Sequence, residues 1–590
     1  MYSELKVYQI IIALLKKHGI RHCVLSAGSR NVPFVHSIEE DPFFKCYSVV
    51  DERSAGYFAL GLSQQLNEPV VISCTSSTAT CNYWPPVAEA FYQNVPIVVL
   101  TSDRDPQMLG QWEDQMIDQV GMYDRHVKKS YNLPIIHDHD DELYCQRLIN
   151  DALLELNHRG KGPVHINVPM KSYNNSFNVK NLPEVEVIDR ISHDSPKGKW
   201  NIKYNELCNA KRILLICGQN SYVSEELKSS INDFFAKFNS AVVADYMSNI
   251  EMTESLNMNI CMDARYVTAS KVKELLPDIV ISFGGQIFSG IKDQLKKYPY
   301  TFKHWLIQED GNIVDAFRSI TTVFECSPEY FFKRVITVAG KGTNDREYYC
   351  QLKNYVDSVV FPDFPWSHVY AIKKVVETIP SKSILHLSVN DSIRITNFFK
   401  LKNNIKVYAN IGTHGIDGPL SSFLGQAIAT DEQAFLIVGD LAFFYDMNAL
   451  RLRHIKKNVH ILLINNQGGS EFYFNRMYKN EASDLHTTAR HNTKAEGWVK
   501  ENAFLYLSAY DKASMDVALK EFMRTDLDQP VFLEVFTEMK RDSDVIYEFF
   551  DISRPKNLQS EAIRKSKELI KRTIGQERAQ AIAGVLKNKK

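Results

Sequence analysis

The chain has 590 residues, with Lys+Arg 69 against Asp+Glu 70, a formal net charge of −1, and 44% hydrophobic residues. That length suits three or four domains, each able to bury its own core, and the composition excludes extensive disorder. Near-neutral charge argues against an electrostatic reader of nucleic acid; ten cysteines scattered singly, with no C-x-x-C pair, argue against a zinc framework or a disulfide scaffold.

In chain order, the first segment carries Val7, Ile10, Ile11, Leu14 and Leu15 at helical spacing, without the basic start and unbroken apolar stretch of a secretory signal. Short β-branched runs then recur, each ending in a Gly, Ser, Asp or Asn loop. The first set is His22–Leu25, Val70–Cys74, Ile97–Thr101 and Val164–Val168. The second is Ile213–Cys217, Ala241–Ala244, Ile279–Phe283 and Trp305–Ile307, and the third Ile384–Leu387, Ala434–Val438, Val459–Ile464 and Val531–Val535. Continuous apolar strands alternating with helical stretches are the pattern of parallel sheets covered on both faces. The expectation is an α/β chain of three tandem doubly wound parallel-sheet domains, at 1–180, 190–340 and 346–550, with a basic helical tail over 551–590.

Linkers are expected over Asn174–Lys199 and near Gly340–Arg346, and no internal repeat is visible. The longest charge-free run, Pro69–Ala88, contains Thr75, Ser76, Ser77, Thr78, Asn82 and Pro85-Pro86, which cannot cross a bilayer as a helix. The reading is therefore a cytoplasmic protein with no membrane span.

In an open parallel sheet, ligands bind beyond the carboxyl ends of the strands. After Ala434–Val438 come Gly439-Asp440-Leu441, and 25 residues beyond Asp440, after the next run, begin Asn465-Asn466-Gln467-Gly468-Gly469. An acidic residue and an amide at successive strand ends are hard oxygen ligands able to converge on Mg²⁺, and the glycines admit a diphosphate closely. Earlier, Glu52 stands between the apolar Val49-Val50 and a helix carrying Ala55, Phe58, Ala59, Leu60 and Leu62. On its own, Glu52 reads as an exposed N-terminal residue favoured by the helix dipole.

The strings Ser26-Ala27-Gly28-Ser29-Arg30, Asp51-Glu52-Arg53-Ser54-Ala55-Gly56, Cys74-Thr75-Ser76, Thr101-Ser102-Asp103-Arg104 and Ile117-Asp118-Gln119-Val120-Gly121 recur in one known family. Gly415-Ile416-Asp417-Gly418, Gly439-Asp440-Leu441, Asp446-Met447-Asn448-Ala449-Leu450 and Asn465 to Gly469 continue the match. In colinear order from about residue 5 to 545, the chain resembles the thiamine-diphosphate-dependent SEPHCHC synthases of the menaquinone pathway. The likeness is tight in the first and third domains and loose in the middle one.

The resemblance implies a 2-oxoacid decarboxylase and carboligase using thiamine diphosphate and Mg²⁺. It makes 1–180 the pyrimidine-binding and 346–550 the diphosphate-binding domain. Glu52 matches the carboxylate that hydrogen-bonds the aminopyrimidine ring; Asp440, Asn466 and the Gly468 carbonyl match the Mg²⁺ ligands. Gly439, Leu441 and Gly469 fall in the same cofactor-binding strings, and Ile416 matches the apolar prop that keeps the cofactor bent. Ser29, Arg30, Arg104 and Gln115 match the acceptor pocket, where arginines can hold a carboxylate bidentately. Arg394 matches an arginine near the donor's distal carboxylate, and Lys292 a central-domain lysine. The partners implied are a small-molecule 2-oxoacid, an acceptor and a second copy of the chain, in a homodimer or homotetramer with active sites at the dimer interface.

The chain departs from the family pattern at four places. Ile411 replaces a substrate-side arginine, His414 a serine, Glu471 an apolar residue near the thiazolium, and Ser77 a glycine. Glu471 and His414 thereby join Glu52 as candidate catalytic residues. The loss of a cation and gain of a carboxylate disfavour a dianionic donor. Two other stretches are set aside: His137–Glu142 reads as a solvated loop and helix cap, and Gly340-Lys341-Gly342-Thr343 lacks the spacing of a P-loop. Gly284-Gly285 is followed by no G-x-G-x-x-G, so a flavin or nicotinamide is not expected.

Overall fold

The computed structural model describes residues 1–174, 176–338, 344–475 and 485–553. The expected tail beyond 553 and the stretch 340–343 lie outside the described residues. The strands form three six-stranded sheets, and every described pairing between strands is parallel.

The first sheet comprises β1 (His22–Leu25), β2 (Lys45–Ser48), β3 (Val70–Cys74), β4 (Ile97–Arg104), β5 (Lys129–Asn132) and β6 (Val164–Met170), in the order β2-β1-β3-β4-β6-β5. The middle sheet comprises β7 (Asp189–Ser192), β8 (Ile213–Cys217), β9 (Ser240–Ala244), β10 (Ile279–Phe283), β11 (Lys303–Ile307) and β12 (Ile320–Glu325). The third comprises β13 (Ile384–Leu387), β14 (Lys406–Ala409), β15 (Ala434–Gly439), β16 (Val459–Asn465), β17 (Leu505–Ala509) and β18 (Val531–Phe536), in the order β14-β13-β15-β16-β18-β17. Counted from their own first strands, the first and third sheets have the same order. This structural repeat has no counterpart in the sequence.

By its internal contacts the chain divides into two compact units, Met1–Lys203 with Pro299–Phe331, and Tyr204–Tyr298 with Phe332–Lys590. The first unit holds the first sheet and the run β7-β12-β11; the second holds β10-β8-β9 and the third sheet.

In the first sheet, successive side chains enter opposite cores. Cys23, Leu25, Val71, Val98 and Leu100 join the core that includes the helix Lys6–Lys17, buried from Val7 to Leu15. Val24, Val70, Ile72, Ile97 and Val99 join the other, with Ala55, Ala59 and Tyr83. A strand covered on both faces must be apolar throughout, and twelve such strands are where the β-branched runs placed them.

Six strands have no such signal. Five are at sheet edges, and their residues are largely half-exposed, as in β2 (Lys-Cys-Tyr-Ser) and β5 (Lys-Ser-Tyr-Asn). The sixth, β12, is interrupted by Thr321 and Thr322. One of the edge strands, β7, falls within Asn174–Lys199, the stretch expected to be a linker.

Asp138 caps the helix His139–Glu155, its side chain accepting the Asp141 N–H at 3.0 Å, so this acidic cluster is a helix start. The glycines after β10 let two loops touch: a Cβ on Gly218 would lie 2.3 Å from the Gly285 carbonyl oxygen.

Candidate functional site

In the third sheet β13 lies beside β15 but connects outward to β14, making the crevice beyond their carboxyl ends the switch point where α/β sheets bind ligands. Gly439 pairs with Ile464 in register, so Asp440 and the 465–469 loop emerge side by side. Asp440 opens the helix Asp440–Asp446 and is 2% exposed. Its Oδ1 accepts the Leu441 N–H at 2.6 Å and its Oδ2 the Gly468 N–H at 2.9 Å. The loop doubles back through Gln467 at φ +68° and Gly468 at φ +149°. A Cβ on Gly468 would lie 2.7 Å from the Thr488 carbonyl oxygen and 2.9 Å from Met539 Sδ, so only glycine fits. Gly469 donates to the same Thr488 carbonyl at 2.7 Å.

Asn466 is buried and donates through Nδ2 to Asp542 Oδ2 at 3.1 Å, which leaves its carboxamide oxygen for another partner. The Gly468 carbonyl accepts the Ser470 N–H at 3.2 Å and keeps a second lone pair. A carboxylate, a carboxamide oxygen and a backbone carbonyl form a hard-oxygen set suited to Mg²⁺ rather than a soft metal. The side-chain-free backbone at 468 gives a diphosphate its close approach. These residues fit both groups. Ile416 is half-buried against the core beneath the third sheet, and Leu441 is half-buried at the helix start.

His491 stands at the same corner, its Nε2 3.3 Å from Asp440 Oδ2. Its Nδ1 accepts the Thr493 N–H at 3.1 Å, which assigns a proton to Nε2, on the side of the carboxylate.

A chain of charged side chains runs from this corner. Asp542, fully buried, accepts the His368 N–H at 2.8 Å and lies 3.3 Å from His368 Nδ1. On its other side His368 Nε2 is 3.5 Å from Asp391 Oδ2. Burial alone would lower the pKa of His368, but Asp542 and Asp391 outweigh it and push it up to about 10. Asp391 accepts the Ser470 hydroxyl at 2.7 Å and pairs with Arg394. Arg394 in turn makes two hydrogen bonds to Glu471, at 2.8 and 3.0 Å, and lies 4.0 Å over the Phe474 ring.

His414 sits nearby at φ +59°, stacked on Phe288 with ring centroids 5.3 Å apart, its Nε2 3.1 Å from Asn390 Oδ1. Burial lowers its pKa; among the charges that act on it Glu471 raises it, while Arg394 and Lys292 lower it further. The second unit thus gathers Lys292, Arg394, His414 and Glu471 in one electrostatic neighbourhood. Ile411 is 5% exposed and carries no charge to it.

In the first unit, Gly28 at φ +156° presses against Thr75, where a Cβ would come within 2.3 Å of Thr75 Cβ. Ser29, exposed, and Arg30, buried, follow in a short 3₁₀ turn. Arg30 donates to Gln115 Oε1 at 2.8 Å and lies 5.3 Å over the Tyr173 ring. Burial, and next the Arg104 charge, hold its pKa below the ordinary arginine value. Arg104 is paired with Glu113 at 2.5 Å and Asp114 at 2.8 Å. Gln115, at φ +50°, accepts the Ser76 hydroxyl through its backbone carbonyl at 3.0 Å. Ser77 has φ +72° and ψ −129°, a conformation natural to glycine and strained by about 1–3 kcal/mol in other residues.

Glu52 is half-buried at the first turn of the helix Glu52–Leu66, behind the Asp51 cap. It is not a purely solvated N-terminal residue: after burial, its charge is what most raises the pKa of the buried Cys74 thiol, and it also raises that of Tyr83.

His368, Asp391, His491 and Asp542 were not among the sequence candidates. None lies in a glycine-rich or acidic string. Asp391 and Asp542 follow the ends of β13 and β18 by four and six residues, which is the one signal the sequence offers; His368 and His491 lie far from any strand end and carry none.

Residues 5–122 match the family model "Thiamine pyrophosphate enzyme, N-terminal TPP binding domain". Over 563 residues the chain is 37% identical to a Bacteroides fragilis 2-succinyl-5-enolpyruvyl-6-hydroxy-3-cyclohexene-1-carboxylate synthase, covering 93% of this chain and 99% of that protein. Synthases of the same name from Bacteroides thetaiotaomicron and Phocaeicola vulgatus are each 36% identical, over 93% and 94% of this chain and 99% and 100% of their own lengths.

Proposed function

The chain belongs to the 2-succinyl-5-enolpyruvyl-6-hydroxy-3-cyclohexene-1-carboxylate (SEPHCHC) synthase family of thiamine-diphosphate-dependent enzymes, and from that premise we propose how its residues divide the work of decarboxylating a 2-oxoacid and joining its acyl unit to an acceptor. The observation that carries the reading is the corner where buried Asp440 receives the Gly468 N–H at 2.9 Å. Thiamine diphosphate, when bound, supplies the electron sink that such a decarboxylation needs.

Asp440, Asn466 and the Gly468 carbonyl hold Mg²⁺, and the backbone at Gly439, Leu441, Gly468 and Gly469 receives the diphosphate. Ile416 supports the cofactor from its apolar side. Glu52, half-buried at the start of its helix, would hydrogen-bond the pyrimidine ring and serve as its proton partner. Buried Arg30, with Gln115, Arg104 and Ser29, receives an anionic acceptor of the kind named in its relatives' product, a cyclohexene carboxylate. Lys292, Arg394, His414 and Glu471 surround the donor.

The domain assignment is that of the sequence reading: pyrimidine-binding 1–180, central 190–340, diphosphate-binding 346–550 and tail 551–590. The working form proposed is a homodimer or homotetramer in the cytoplasm, with Glu52 of one subunit serving the site of Asp440 in another. Among the described residues no helix is long and apolar enough to cross a membrane.

A second reading, that the donor differs from the family's, is favoured by the Arg394–Glu471 pair together with buried Ile411. Here the Arg394 cation is already paired with Asp391 and Glu471. Release of CO₂ across a panel of 2-oxoacids tests both readings. Turnover of 2-oxoglutarate with isochorismate supports the family reaction, and turnover confined to monocarboxylates supports the second. Cofactor binding without release from any 2-oxoacid would leave only a non-catalytic cofactor-binding subunit.

A further inference from the structure

We propose that Asp542 and His368 are positioning residues that hold the Asn466 carboxamide with its oxygen turned toward the Asp440 corner. The inference rests on the reading of Asp440 and Asn466 as cation ligands. A primary carboxamide presents an oxygen and a nitrogen of nearly the same size, and a ligand asparagine must keep the oxygen toward the metal. A carboxylate whose oxygens already accept from neighbouring donors takes a further donor, not a second oxygen, so it turns the nitrogen toward itself. Asp542 does this at 3.1 Å.

Asp542 is itself fixed from three directions. The Thr537 hydroxyl donates to the same Oδ2 at 2.6 Å, the His368 N–H donates to Oδ1 at 2.8 Å, and His368 Nδ1 lies 3.3 Å from that oxygen. Full burial of Asp542 and 1% exposure of His368 keep bulk solvent from both side chains. His368 is anchored in turn by Asp391, which holds Ser470 immediately beyond the double glycine. The pair therefore braces the 466–470 loop at both ends. Such outer partners of metal ligands typically change metal affinity by about 10–100-fold when removed.

The test is calorimetric titration of Mg²⁺ into the full-length protein at saturating thiamine diphosphate. Asp542→Asn keeps the shape but no longer dictates which end of Asn466 faces it. Mg²⁺ affinity is expected to fall by about 10–100-fold, with excess Mg²⁺ restoring cofactor binding. Because the single change leaves His368 with one carboxylate fewer, the double variant His368→Gln/Asp542→Asn, which removes both charges, is measured beside it with the same expectation. Asn466→Ala separates the premise from the inference. If it binds Mg²⁺ as the wild type does, the cation reading itself falls. If it loses Mg²⁺ while folded Asp542→Asn or the double variant binds Mg²⁺ like the wild type, the positioning role is overturned.

Discussion

Arg394 and Glu471 face each other through two parallel hydrogen bonds, Nη1 to Oε2 at 2.8 Å and Nη2 to Oε1 at 3.0 Å, although 77 residues separate them. Arg394 also pairs with Asp391, so two carboxylates share its one charge. Both relations bear on the donor that the enzyme accepts.

A distal carboxylate on the donor needs an uncommitted cation once water is excluded, because an unpaired buried charge costs several kcal/mol. Arg394 would have to surrender Glu471 to provide it, Ile411 provides nothing, and burial disfavours the charged form of Lys292, the other cation of the neighbourhood. The wild type is expected to use 2-oxoglutarate poorly relative to pyruvate. Ile411→Arg with Glu471→Ile should move the preference toward 2-oxoglutarate, each tenfold step in kcat/KM corresponding to about 1.4 kcal/mol. Efficient wild-type turnover of 2-oxoglutarate with isochorismate would sink this expectation.

Thiamine diphosphate with Mg²⁺ should raise the melting temperature, since a ligand at 100 times its Kd stabilises the native state by about 2.7 kcal/mol. Neither component alone should match the pair. Asp440→Ala removes the carboxylate that receives Gly468 and should abolish the shift in differential scanning calorimetry. A full shift in that variant would place the metal elsewhere.

The proposed sharing of each site between subunits predicts complementation. Glu52→Gln and Asp440→Ala proteins should each be inactive alone. After subunit exchange, heterodimers should recover one wild-type site. Activity that stays absent in demonstrated heterodimers would refute shared sites.

The acid limb of the stability profile should depend on His165. Burial pushes its pKa down to about 3, below the unfolded value of about 6.5. The unfolded chain therefore binds the extra proton between those values. His165's contribution is full above pH 6.5 and is lost as the pH falls toward 3, at about 1.4 kcal/mol per pH unit. His165→Gln, placed to keep the hydroxyl partners Thr101 and Ser130, should lessen the fall in melting temperature between pH 6 and 4. An unchanged slope would contradict the assignment.

Twelve strands, the Asp440 and Asn466 corner and its glycines were legible from the sequence, because each is encoded locally. A doubly covered strand must be apolar along its whole length, and the residue after it opens a loop or helix whatever else the fold does. Edge strands such as β2 and β5 carry no such mark, since half their surface meets water. The departures at Ile411, His414, Glu471 and Ser77 were also visible, and for Ser77 the structure supplies the reason that glycine suits the position: φ +72°. The commitments of the charges were not legible. Whether Arg394 is free or spent on Glu471, whether Asn466 turns its oxygen or its nitrogen, and whether His368 is charged depend on which strand ends lie side by side. Strand order places β13, β15, β16 and β18 in succession, so Asp391, Asp440, Asn466 and Asp542 all emerge at one end of the sheet. Electrostatic and hydrogen-bonding partnership depends on distance in space, and only the tertiary structure decides that distance for residues so far apart along the chain.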